Sequence, residues 1–128
     1  MDIMEFRGEN PTESLGTIHG PGYSGGASVG RLYALSEGSF SEEYHTFAVE
    51  IDPGHIAWYI DDERFFSVSR ASLPDEGAWV FDDNSFFLLL NLAVGGTFLA
   101  EPTDDTPFPA TMSVEYVRAY ERAGGYFE

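Results

Sequence analysis

Hydrophobic and polar positions alternate with a period of two along most of the chain, the spacing expected of β-strands with one buried face. The stretches HTFAVEID and HIAWYID each place three large apolar side chains on one face. Between them, Asp52-Pro53-Gly54 predicts a turn, because proline presets φ and glycine permits a positive φ. We expect antiparallel strands near residues 2–7, 44–52, 55–61, 64–69, 86–94 and 111–121.

One apolar run breaks the alternation. The stretch FFLLLNLAV, from Phe86 to Val94, is apolar at almost every position, which predicts a strand covered on both faces. No segment has a convincing helical period. Short strands joined by Gly, Pro and Asp turns predict an all-β fold, an antiparallel sandwich or barrel, in a single domain spanning residues 1–128.

The charge of the chain narrows the classes of partner. Acidic residues number 22 against 6 arginines and no lysine, giving a formal net charge of −16. Such a surface repels phosphate backbones and anionic lipids, so we expect no nucleic-acid and no membrane partner. It suits a neutral ligand, although such a charge more often serves as a solubility device.

Several kinds of chemistry are excluded by composition. The chain has no cysteine, so disulfides, thiolate catalysis and cysteine–zinc sites are ruled out. Its three histidines do not share a metal-ligand spacing, so we expect no zinc site. The longest apolar run is too short to span a bilayer.

Two carboxylates lie at the start of the chain, in MDIMEFR. Asp2 and Glu5 are three positions apart, and on a regular strand they would point to opposite faces. A β-bulge at Ile3-Met4 would absorb one residue and return both to one face, as bulges beside active sites often do. A solvated strand edge explains the same residues equally well.

Four longer segments change that balance. The stretches GTIHGPGYSGG, EEYHTFAVEIDPGHIAWYIDD, FFLLLNLAVGG and FPATMSVEYVRAYER resemble glycoside hydrolase family 16, in its laminarinase-like (endo-β-1,3-glucanase) branch. The similarity runs from Asp2 to about Arg122 and corresponds to the C-terminal half of the catalytic domain. It implies a β-jelly-roll sandwich, incomplete or completed by association, that hydrolyses β-1,3-glucan by a retaining mechanism. That substrate class in turn implies a secreted, extracellular protein.

The resemblance also implies roles for the two carboxylates. The catalytic strand of the family reads Glu-Ile-Asp-x-x-Glu, which makes Asp2 the assisting aspartate and Glu5 the acid/base. The family nucleophile would fall one residue before Met1, so we expect little or no hydrolysis by this chain alone. The alternative is a non-catalytic chain, either a β-glucan-binding relative or an inert half-domain. Self-association or a complementary N-terminal half is the expected partner besides the polysaccharide.

Two further residues are candidates for sugar binding. His19 aligns with a Thr-x-His element of the family, where it would hydrogen-bond to sugar or to Glu5; otherwise it is a packed loop histidine. Trp79, in EGAWVFDD, follows a glycine-containing loop and is a candidate platform for a sugar ring. Trp58 shares its face with two isoleucines, which favours a core position.

The last candidates lie in the C-terminal third. Asn91 interrupts the apolar run, and a buried amide there would support the cleft or cap the local backbone. Glu115 falls where the family often has an aspartate ligand of a structural calcium ion. Its other ligands would lie outside this chain, so no cofactor is expected, and calcium at Glu115 is left as an open alternative.

Overall fold

The structure is a computed structural model that describes residues 1–123, and this part of the chain is all-β. Two short 3₁₀ helices, Gly25–Ala27 and Arg70–Ser72, are its helical elements, and no helix in residues 1–123 is long and apolar enough to cross a membrane. The predicted all-β antiparallel class is therefore confirmed. The strands are β1 (Asp2–Phe6), β2 (Glu13–Ile18), β3 (Val29–Ala34), β4 (Phe47–Asp52), β5 (His55–Ile60) and β6 (Glu63–Ser69).

The strands form two antiparallel meanders, with the orders β1-β2-β3 and β4-β5-β6. The predicted turn joins β4 to β5, where Asp52 pairs with His55 and Gly54 takes a φ of +70°. The next turn places Asp61 and Asp62 at φ values of +49° and +68°. Two consecutive positive φ values match the twist of an antiparallel hairpin, and aspartate tolerates them better than most residues.

The core lies between these meanders and is built largely on β5. Ile56 and Trp58 are fully buried on this strand, and they pack with Ile18 of β2 and Val68 of β6. Phe81, beyond β6, completes the cluster. The period-two pattern thus predicted the buried face of β5, and the expectation that Trp58 belongs to the core is confirmed.

Two observed strands, β2 and β3, were absent from the prediction. In β2 the buried positions include Ser14, Gly16 and Thr17 as well as Ile18. Polar side chains and glycine at inward positions hide the alternation on which the prediction depends.

Residues 85–123 differ from the rest, and the chain divides into two compact units after Asn84. The predicted strands at 86–94 and 111–121 are wrong, because this segment contains no hydrogen-bonded strand. Phe87 is 82% exposed and Leu89 is 78% exposed, so the expected cover on both faces is also absent from the described residues. An apolar run indicates that a segment should be buried on both faces. It becomes a strand only where a neighbouring strand pairs with its backbone N–H and C=O groups.

Candidate active site

The strand β1 carries a bulge between its two carboxylates. Asp2 is paired with Thr17 and Glu5 with Leu15, so three steps along β1 match two steps along β2. The partners Thr17 and Leu15 are two apart and share a face of the sheet. The bulge predicted from the spacing is therefore confirmed, and it brings Asp2 and Glu5 to one face.

Glu5 is held by a buried threonine on the neighbouring strand. The Thr17 hydroxyl donates a hydrogen bond of 2.8 Å to Glu5 Oε2. Thr17 is only 1% exposed, and a buried hydroxyl is costly to leave unpaired. The contact therefore satisfies Thr17 and at the same time fixes one oxygen of the Glu5 carboxylate, while Glu5 remains partly accessible.

Asp2 has a different partner. His19 Nε2 lies 3.0 Å from Asp2 Oδ2, and both side chains are 39% exposed. Of the two contacts expected for His19, the one to Glu5 is replaced by the pairing with Asp2, since Glu5 accepts from Thr17, and the contact to sugar stays a prediction. Thr17 and His19 are two positions apart, so the Thr-x-His element supplies one polar partner to each carboxylate.

A fifth residue reaches this site from the other meander. Trp58 Nε1 donates a 3.0 Å hydrogen bond to the backbone oxygen of Asp2. The sequence indicated only a core position for Trp58. No sequence signal for this contact exists, because the two residues lie 56 positions apart.

Trp79 belongs to a separate network around Asp82. Its indole N–H donates to Asp82 Oδ1 at 2.7 Å, and its ring meets Phe81 edge-on at a centroid distance of 5.1 Å. Asp82 also accepts from the Gly54 backbone N–H and from the guanidinium of Arg70. Burial raises the pKa of Asp82, but these donors together outweigh burial and hold it below its usual range. Asp82 thus anchors the β4–β5 turn and Trp79 helps to hold Asp82 in place, while the role of Trp79 as a sugar platform stays a prediction.

The remaining candidates lie in residues 85–123. Asn91 and Glu115 are both exposed, so the Asn91 amide is not a buried one, and its role in supporting the cleft stays a prediction. Across residues 1–123, no cluster of three or more His, Asp or Glu side chains could hold a metal ion. The described residues around Glu115 therefore do not fit a calcium site, which needs six to eight oxygen ligands.

The arrangement on β1 has the chemistry of an acid/base site. Glu5 is a partly accessible carboxyl group with one oxygen fixed by Thr17, so it can exchange a proton through the other. Asp2 lies on the same face and is engaged by His19. The pair resembles the acid/base and the assisting aspartate expected from the sequence, and those roles remain predictions.

Comparisons with known proteins identify the family. Residues 16–126 match the family described as beta-glucan synthesis-associated protein SKN1/KRE6/Sbg1. The glucan endo-1,3-beta-glucosidase A1 of Niallia circulans is 37% identical over 94% of this chain, which covers 19% of that relative. A beta-glucanase of Rhodothermus marinus is 34% identical over 94% of this chain and 43% of its own length.

Solved structures agree with these sequence relatives. The endo-beta-1,3-glucanase of Pyrococcus furiosus superposes with a TM-score of 0.78 at 43% identity, over 84% of this chain and 41% of that chain. The laminarinase catalytic domain of Thermotoga maritima gives a TM-score of 0.77 at 45% identity, over 83% and 43%. This chain spans less than half the length of each of these four relatives. It belongs to the beta-glucan synthesis-associated SKN1/KRE6/Sbg1 family, and its resemblance to the laminarinase-like glycoside hydrolases is confirmed.

Proposed function

We propose that this chain carries the acid/base part of a retaining glycoside hydrolase site that acts on β-1,3-glucan. The observation that supports the proposal is the bulged strand β1, in which Asp2 and Glu5 share a face and each has its own polar partner. The relatives named as β-1,3-glucanases support the substrate class. An extracellular location is proposed with it, because the substrate is a polysaccharide.

Retaining hydrolysis needs two carboxyl groups about 5–5.5 Å apart. In this proposal Glu5 protonates the oxygen of the leaving sugar and later accepts a proton from the attacking water. Thr17 keeps the Glu5 carboxylate in one orientation through both steps. Asp2 supports Glu5 from the same face while it is engaged by His19.

The nucleophile is the missing part of this mechanism. Asp2 is shorter than a glutamate by one methylene and is already paired with His19, which makes it a poor substitute. We propose that the attacking carboxylate is a glutamate next to Met1 on the same strand, supplied by polypeptide outside these 128 residues. The 128-residue chain alone is then expected to release little or no reducing sugar from laminarin.

A pair of extended variants tests this function. One variant carries an added glutamate directly before Met1, and its matched control carries a glutamine there. Reducing-end release from laminarin is expected only from the glutamate variant, and Glu5→Gln in that background should abolish it. Laminarin binding without turnover in the glutamate variant would contradict the enzyme proposal and favour a binding protein. Clear turnover by the unextended chain that disappears in Glu5→Gln would contradict the missing nucleophile.

The proposal includes a partner for residues 85–123. Soluble monomers rarely expose a contiguous apolar patch larger than a few hundred Å². A second copy of the chain, or a polypeptide equivalent to the unmatched part of the relatives, would supply strands to cover these side chains. The exposed large apolar residues of this segment include Phe86, Phe87, Leu88, Leu89, Leu90, Leu92, Val94, Val117 and Tyr120.

Sedimentation at micromolar concentration tests this association. We expect a dimer or a larger assembly, and a Leu89→Glu variant, which places a charge on the apolar run, should shift the chain towards monomer. The matched control is Leu32→Glu, at an exposed position of β3 outside this segment. A monomer that melts cooperatively at all concentrations would contradict association.

A further inference from the structure

The indole of Trp58 joins the second meander to the strand that carries the carboxylates. Trp58 lies on β5 and is fully buried, and its Nε1 donates to the backbone oxygen of Asp2 at 3.0 Å. Asp2 is the residue at which the bulge of β1 begins. The contact therefore holds the backbone of β1 at the point where its register departs from that of β2.

Gly16 shows how closely the indole approaches this site. A Cβ atom at position 16 would lie 2.6 Å from Trp58 Cδ1, closer than carbon atoms tolerate, and 3.0 Å from Nε1, which is an unusually tight contact. The φ of Gly16 is not in the left-handed region, so close approach and not turn geometry explains the glycine. Gly16 lies between Leu15 and Thr17, the β2 partners of Glu5 and Asp2. The indole thus packs directly beneath the pair of carboxylates.

The indole ring of Trp58 is tightly packed, so its N–H group has little freedom to move. Trp58 packs on Phe66 with ring centroids 4.9 Å apart, and it belongs to the buried core cluster with Ile18 and Val68. Close-packed cores transmit shifts and do not absorb them. The indole N–H is therefore a rigidly held donor, and its hydrogen bond fixes the position of the Asp2 carbonyl.

We infer that Trp58 is a positioning residue for Asp2 and Glu5. An extra residue in a strand gives the backbone a choice of local conformations, and each choice redirects the side chains on both sides of the bulge. By holding the Asp2 carbonyl, Trp58 selects the conformation in which Asp2 reaches His19. Catalytic groups need their geometry held to within about 0.5 Å. The catalytic meaning of this inference rests on the proposed function, whereas its geometric part does not.

A purely structural role is the rival account. Buried indole N–H groups find an acceptor in most proteins, and the Asp2 carbonyl could be no more than a convenient one. In that case loss of the N–H would lower stability without altering the contact between Asp2 and His19. The two accounts therefore differ in what happens to His19.

Nitrogen NMR of ¹⁵N-histidine protein measures that contact without any need for activity. The chain has three histidines, and a His19→Asn variant assigns the His19 signal. Asp2→Ala removes the side-chain acceptor and gives the Nε2 signal of unpaired His19. Trp58→Phe removes the N–H, and Trp79→Phe is the matched control, because it removes an indole donor to Asp82 instead.

If Trp58 positions Asp2, the His19 Nε2 signal of Trp58→Phe moves most of the way to its position in Asp2→Ala. In Trp79→Phe it should stay at the wild-type position. A wild-type His19 signal in folded Trp58→Phe would overturn the inference. If Trp58→Phe does not fold, Trp58→3-benzothienylalanine keeps the bicyclic shape without the donor, and the same two results decide. Failure of the laminarin assay would count against the proposed function and would leave these NMR results standing.

Discussion

Residues 1–84 and 85–123 carry similarly large apolar side chains and use them differently. In the first region Ile56 and Ile60 are at most 1% exposed, whereas in the second Phe87 and Leu89 are about four-fifths exposed. The difference is not one of hydrophobicity, because the run at 86–94 is the most apolar of the chain. The two regions differ in whether a segment can pair with another strand that is near it in the sequence.

In the first region every strand pairs with the strand before or after it. The two-residue turns at 53–54 and 61–62 fix the register of β4, β5 and β6 at a low cost in loop entropy. A strand that is apolar on both faces needs neighbours on both edges and cover on both sides. Residues 85–123 do not provide such neighbours or such cover for one another. The apolar run at 86–94 therefore predicts a strand, but the described chain does not form one.

Truncating one large side chain in each region gives the greatest expected contrast. Trp58→Ala should lower the free energy of unfolding by about 3–5 kcal/mol, because it leaves a cavity in the core. Leu89→Ala should change it by less than about 0.5 kcal/mol where the protein is monomeric, since Leu89 is 78% exposed. Urea denaturation followed by circular dichroism measures both. Similar losses from the two variants in the monomer would mean that other residues of the same chain cover Leu89, and would break the comparison.

Replacing Asp82 should show that the stability of residues 1–84 also depends on polar contacts. Asp82→Ala leaves the Gly54 and Trp79 N–H groups and the Arg70 guanidinium without their acceptor, at an expected cost of about 2–3 kcal/mol. The control is Asp83→Ala, one position along the chain, where the side chain is exposed. Both are compared by urea denaturation. A cost no greater than that of Asp83→Ala would show that this network contributes nothing measurable.

Acid should destabilise residues 1–84 through two carboxylates. For Asp61, as for Asp82, burial raises the pKa, but the His45 ring and the Thr46 N–H outweigh it and lower the pKa. A depressed folded-state pKa stabilises the fold above the unfolded value of about 3.9, and this contribution is lost as the pH falls through the folded value. We expect stability to fall below about pH 4, and to fall less steeply in Asp82→Asn. An identical pH profile in that variant would contradict the assignment to Asp82.

Salt should have the smallest effect and should not distinguish the regions. With a formal charge of −16 the chain repels itself, and screening relieves that repulsion. The melting temperature is therefore expected to rise by a few degrees between low salt and molar sodium chloride. A fall over that range would mean that specific ion pairs, such as the one between Arg70 and Asp82, outweigh the general repulsion.

The sequence was sufficient where local rules decide the structure. The β4–β5 turn followed from Pro53-Gly54, whereas the bulge of β1 was one of two interpretations of the spacing of Asp2 and Glu5, and the family resemblance favoured it. The sequence did not predict strand β2, because the residue types at its buried positions depend on contacts with other strands and not on a local pattern. Burial of the Thr17 hydroxyl is tolerated because it bonds to Glu5, and Gly16 is a glycine because Trp58 lies against it.

The sequence predicted which residues belong to the site better than it predicted which of them contact each other. The family resemblance is enough to single out Asp2, Glu5 and His19, but it does not indicate which carboxylate His19 contacts. That choice depends on the bulge and on the alternation of β2, which place Thr17 opposite Asp2 and direct its hydroxyl to Glu5. A single sequence carries no record of such pairings.

The face of β1 that carries Asp2 and Glu5 is proposed to bind β-1,3-glucan, and the rest of the proposed function follows from that binding. Titration of ¹⁵N-labelled chain with a β-1,3-linked gluco-oligosaccharide, beside a β-1,4-linked one of equal length, tests it without requiring turnover. We expect the amide signals of Asp2 and Glu5 and the side-chain signal of His19 to shift with the β-1,3 ligand and much less with the β-1,4 ligand. The Trp79 indole signal reports on its predicted role in the same spectra. Saturable shifts confined to other residues, or none at millimolar ligand, would contradict the account.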